Sequence, residues 1–187
     1  MVESNDQTAP EGRGLWETIA SEAERESPLW GAALRSDAER EPLAVFSPLG
    51  APGLSLGLET IYEGYLLHYG RPRLFAPADR DAAVLLGDYL YAHGLVRVAR
   101  LGRVAVVSDL AELISLCSQL RAERSPGDGA AWAATVALVG SGDARLETAR
   151  ASLREGRDPG PLARLAEAVA GVEPVARALA LHRERVE

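Results

Sequence analysis

Glu59 and Glu63 stand four residues apart in a segment whose apolar positions, Leu58, Ile61, Tyr62, Tyr65, Leu66 and Tyr69, recur at helical spacing. Both carboxylates therefore share one helix face, where an i, i+4 acidic pair is most simply a solvated edge. Asp88 stands inside the most apolar stretch of the chain, Ala82 to Leu101. An unpaired carboxylate is costly to bury, so Asp88 is expected to find a helix end, an arginine or a loop as its partner. His68 and His93 sit near tyrosines, but two imidazoles without a third nitrogen or thiolate make no zinc site. Cys117 and Ser141 have no base beside them in sequence, so neither is read as a nucleophile. Val136 to Gly142 looks like a strand entering a dinucleotide loop, yet Arg145 stands where the third glycine is needed. Tyr62, Tyr65, Tyr69, Tyr89 and Tyr91 read as core packing with hydroxyls reaching the rim.

These residues need elements to hold them, and the periodicity supplies helices throughout. Residues 1–14 are polar and carry Gly and Pro, so a mobile tail is expected there and a single helical domain over 15–187. Leu15, Trp16, Ile19, Ala20 and Ala23 start the first helix, which Pro28 closes, and a second runs from Leu29 toward Pro42. Phe46 to Gly53 is a connector with two prolines, and Leu54 to Tyr69 a core helix. Gly70 to Pro77 is a stiff loop, since each proline disfavours helical geometry just before it. Asp79 caps the helix Ala82 to Leu101, which Gly102 ends; its apolar character on most sides predicts a central position. Ser108 or Asp109 caps a helix ending at Pro126-Gly127, and shorter helices follow over Ala130 to Val139, Ala144 to Leu153, Leu162 to Val169 and Val175 to Leu181. The fold class is all-α, an antiparallel bundle of about seven to nine helices.

Composition bounds what such a bundle does. With 187 residues and 47% apolar content the chain can close one core. A lone cysteine forms no internal disulfide, and the polar, acidic start is unlike a signal peptide, so a cytoplasmic location is expected. A formal charge of -7, from 20 basic and 27 acidic residues, argues against holding nucleic acid by phosphate neutralisation. No stretch is long enough in apolar residues for a transmembrane span. Every basic residue is Arg, as G+C-rich coding alone would give.

At Tyr69-Gly70-Arg71-Pro72, at Ala82-Ala-Val-Leu-Leu-Gly-Asp-Tyr-Leu90 and at Arg100-Leu101-Gly102, the chain resembles the all-trans polyprenyl diphosphate synthases of the isoprenoid synthase superfamily. The likeness spans Leu54 to Gly142, about half the chain, and it implies a truncated form of that family's helical fold around a deep cavity. It places the family's D-D-x-x-D motif on Glu59-Thr60-Ile61-Tyr62-Glu63, so Glu59 and Glu63 are the implied metal ligands, for magnesium if a residual site exists. Arg71 and Arg73 of the loop and Asp88 of the following helix join them as implied ligand-binding residues, and the tyrosines as lining for an isoprenoid tail. Thr60 lacks the middle carboxylate, His68 and Tyr69 replace the family's arginine pair, and neither a second Asp-rich motif nor a G-x-K-x-R-P element is present. No catalytic residue is therefore assigned, and whether the chain is an enzyme stays open.

The expectation that results is a catalytically degenerate protein that acts by binding, as accessory subunit of a heteromeric polyprenyl diphosphate synthase or as an interaction scaffold. Two rivals stand beside it: a minimal magnesium-dependent prenyltransferase using Glu59 and Glu63, and an unrelated helical interaction module. The expected assembly is a homodimer, or a heteromer with a longer prenyl-synthase chain, built on the helix that carries Gly87 and Gly94 for close approach.

Overall fold

A computed structural model of the chain describes residues 11–186, with side chains from Gly14 onward. The described residues form nine α-helices and no strand: α1 (Glu11–Glu26), α2 (Pro28–Ala32), α3 (Ser55–Tyr69), α4 (Arg80–Ala99), α5 (Val104–Ala122), α6 (Asp128–Leu138), α7 (Ala144–Gly156), α8 (Gly160–Ala170) and α9 (Val172–Val186). The all-α expectation is met. The tail expected over residues 1–14 lies outside the described residues as far as position 10, and α1 already begins at Glu11, before the expected start of order. None of the described helices is long and apolar enough to cross a membrane.

Helix ends follow local chemistry where a capping residue exists. Ser27 accepts from the Leu29 N–H at the start of α2, and Asp79 accepts from Ala82 at the start of α4. Gly102, at φ +69, turns the chain after α4. α5 departs from the expectation: it starts at Val104 behind Arg103, with no side-chain cap, so Ser108 and Asp109 lie inside it.

α3 is the centre of the fold. Every residue from Gly57 to Leu67 is buried, and the helix contributes to two cores. One core joins Leu58, Ile61, Tyr62 and Tyr65 to α5, α6, α8 and α9 around Trp132; the other joins Leu67 to Trp16, Ile19, Leu74, Phe75, Leu86 and Leu90. α4 lies antiparallel against α3 at glycine contacts. A Cβ added to Gly64 would stand 2.8 Å from the Gly87 carbonyl oxygen, and one added to Gly94 would stand 3.0 Å from that of Gly57. Gly87 and Gly94 thus serve packing inside one chain, and they are not at an outer surface where a dimer contact would need them.

The central position expected of α4 is corrected by its burial pattern. Leu86, Gly87, Leu90, Gly94 and Val98 face inward, while Leu85 and Val96 are about half exposed, with Ala92 between them on the same side. Apolar residues on a solvent face gave α4 the composition of a central helix. The stiff loop expected over Gly70 to Pro77 is also pinned by hydrogen bonds: Arg35 N–H donates to the Leu74 carbonyl at 2.9 Å and Ala76 N–H to that of Ala33 at 2.7 Å.

Candidate functional site

The implied metal ligands are inside the protein. Glu59 and Glu63 project from consecutive turns of α3, and Arg73, carried back over them by the Pro72 loop, is fully buried between them. Arg73 Nε donates to Glu63 Oε2 at 2.8 Å, and Nη1 donates to Glu59 Oε2 at 2.5 Å and to the Leu43 carbonyl at 2.8 Å. The backbone N–H groups of Arg73 and Leu74 donate to Glu63 Oε1 at 2.8 and 2.7 Å, and Ser47 N–H reaches Glu59 Oε1 at 3.4 Å. The guanidinium carbon lies 4.6 Å from the Trp16 ring centre and 5.0 Å from that of Tyr62. Burial alone would push the Arg73 pKa down, but the charges of Glu59 and Glu63 and their hydrogen bonds outweigh it and hold it above the ordinary arginine value.

This geometry corrects the reading of Glu59 and Glu63 as a solvated edge, and it does not fit magnesium. A hard cation needs several open oxygen ligands. All four carboxylate oxygens already accept from N–H donors, and no group of three or more His, Cys, Asp or Glu among the described residues could hold a metal. Opening the pair to an ion would leave the Arg73 cation unpaired in the core.

Asp88 is the reverse case. Its side chain is 65% exposed, with His68 Nε2 at 3.2 Å, so the buried carboxylate expected in α4 stands in solvent on the outer face. Burial pushes the His68 pKa down, and the nearby Asp88 charge offsets this only in part. Arg71 is exposed and holds its place through its backbone N–H, which donates to the Arg185 carbonyl at 2.8 Å. Of the implied ligand-binding residues, then, Glu59, Glu63 and Arg73 come together; Arg71 and Asp88 do not join them. Cys117 is buried and its thiol pKa is pushed well up by burial, in keeping with its lack of a base.

A second polar cluster forms around Tyr62 and Tyr65 of α3 and was not singled out from the sequence. Tyr65 donates to Asp128 Oδ2, and Arg121 donates through Nε to the Tyr65 oxygen at 2.9 Å and through Nη2 to Asp128. Tyr62 and His182 Nδ1 are hydrogen-bonded at 2.9 Å. His182 Nε2 faces Asp128 Oδ2 at 3.4 Å. Burial would raise the Asp128 pKa, yet His182, Tyr65 and Arg121 together hold it well below the usual carboxylate range. Beside the cluster opens a cleft of about 700 Å³ between the start of α6, the ends of α5 and α9, and the start of α8. The sequence did carry a signal: His182 and Arg185 continue the inward stripe of Val175 and Ala178, which marks polar side chains on a core face.

Comparison with protein-family models, curated proteins and solved structures finds no match to this chain.

Proposed function

We propose that the chain is a non-catalytic helical scaffold, of the prenyl-synthase-like plan its sequence resembles, that acts through protein contact. One observation carries this reading: the carboxylates that would hold magnesium in an active relative are sealed onto Arg73. The surface favours the same conclusion. The outer side of α4 presents Leu85, Ala92 and Val96, and in the connection to α5 Leu101 and Val104 are 52% and 81% exposed. Apolar surface concentrated in this way suits a partner better than water. The occupant we favour is a second copy in antiparallel register. Exposed Asp81 and Asp88 lie toward the start of α4 and exposed Arg100 and Arg103 beyond its end, so a two-fold arrangement sets each acidic end over a basic one.

The catalytic rival is tested by incubating the purified chain with magnesium, isopentenyl diphosphate and allylic diphosphates of several lengths. No condensation product is expected. Magnesium-dependent turnover that disappears in Glu59→Gln would overturn the reading.

A further inference from the structure

His68 stands at the edge of the outer face of α4, beside a carboxylate that the contact between two copies would use. Asp81, Leu85, Asp88, Ala92 and Val96 follow one another at three- and four-residue spacing and are all exposed, so both acids share a stripe with the apolar residues of that face. From the last turn of α3, His68 brings Nε2 to 3.2 Å from Asp88 Oδ1. The ring is fixed there by packing. It stacks on Tyr91 with 5.1 Å between ring centres and 14° between planes, and its tip fills the space over Gly87, where an added Cβ would stand 2.6 Å from Nε2. Among the described residues, the titratable and charged groups facing His68 are Asp88, Arg80 and Tyr91 from α4 and Tyr69 from α3 itself. Tyr91 stays a neutral phenol because burial pushes its pKa up. Burial likewise pushes the His68 pKa down, with Asp88 opposing and Arg80 assisting, so at neutral pH the imidazole is uncharged. The Asp88 charge is then open to a cation from outside the chain.

We propose that His68 is a pH switch on the two-copy assembly, holding α4 ready to pair at neutral pH and releasing it on acidification. The switch rests on the antiparallel pairing proposed for that face. Neutral His68 leaves Asp88 free to meet Arg100 and Arg103 of the second copy. Protonated His68 offsets the Asp88 charge from within its own chain and adds a cation where those arginines approach. Pairing therefore disfavours the proton, because it brings arginines up to the imidazole, and the separated chain takes the proton up more readily. A fall in pH draws the equilibrium toward single chains. The two-fold arrangement repeats the device at both ends, so each copy contributes one His68.

Sedimentation equilibrium of the full chain at about pH 7.5, and at the lowest pH down to about 5.5 at which circular dichroism is unchanged, tests this. The dissociation constant of the dimer rises at least about tenfold at the lower pH. His68→Gln keeps a polar side chain of similar reach without a group that titrates in this range; it assembles at neutral pH and loses most of the change. A dimer with the same dissociation constant at both pH values, or a change that His68→Gln retains, overturns the switch and leaves the pairing intact. A wild-type monomer at neutral pH overturns the pairing and the switch with it. Should His68→Gln fail to assemble, the His68 ring signal of the wild type decides, followed by NMR against pH at low and high protein concentration. Its titration midpoint falls as the dimer forms if the switch is real, and a midpoint that does not move with concentration overturns it.

Discussion

Arg73 Nε and Glu63 Oε2 meet at 2.8 Å with both side chains closed to solvent. The pair joins the loop before α4 to the middle of α3, and Glu59 completes it from one turn earlier. An ion cluster of this kind is held by mutual dependence, since each charge is tolerable only while its partners remain.

Arg73→Ala should therefore be among the most damaging single changes in the chain. Stranding Glu59 and Glu63 costs about 3–5 kcal/mol, read as a shift in the urea midpoint. Arg73→Met combined with apolar replacements of similar size at Glu59 and Glu63 should recover most of that loss. A cost below about 1 kcal/mol for Arg73→Ala would place the guanidinium in solvent.

Asp88→Ala should change stability by no more than about 0.5 kcal/mol, as for other exposed positions, despite the apolar sequence around it. Equilibrium denaturation beside Arg73→Ala makes the contrast. A loss as large as that of the arginine variant would mean that Asp88 faces the core.

Gly64→Ala should cost about 1–3 kcal/mol, because its new methyl group meets the Gly87 carbonyl and backbone does not give way as a side-chain tip does. Gly53→Ala, with open space around the added carbon, is the control. Equal melting temperatures for the two variants would contradict the close approach of α3 and α4.

The stability of the fold should decline as pH falls through about 6.5, and His68 should account for part of it. Burial lowers the folded pKa of His68 below the ordinary 6.5, with Asp88 opposing and Arg80 assisting. The unfolded chain then takes up the proton first, so this contribution is complete above the ordinary value and is lost as pH drops toward the folded one. His68→Gln should flatten the difference in urea midpoint between about pH 7.5 and about pH 5.5. An unchanged slope would show that His68 is not the group responsible.

The helices were legible because their apolar residues keep helical spacing, and Asp79 and Gly102 mark the ends of α4 with the chemistry those positions require. The start of α5 was not, since Val104 to Val107 offers no cap and Ser108 and Asp109 imitate one. Asp109 instead accepts from the Gly140 N–H at 2.8 Å, a contact set by tertiary packing. Burial was harder still. Glu59 and Asp88 each sit at a position whose exposure depends on what folds over it: Arg73 in one case, nothing but His68 in the other. Periodicity assigns a face to each residue of a helix but does not say which face meets the core when apolar residues occupy both, as they do on α4. The cleft at Asp128 joins residues from α5, α6, α8 and α9, a juxtaposition no local pattern contains.

The claim that the outer face of α4 joins two copies is tested most directly by light scattering over a concentration series of wild type and Val96→Glu. Val96 is 47% exposed, so the substitution leaves the core intact. The account predicts a dimer for the wild type at micromolar concentration and a folded monomer for Val96→Glu. A wild-type monomer throughout, or a dimer that Val96→Glu leaves unchanged, would contradict it.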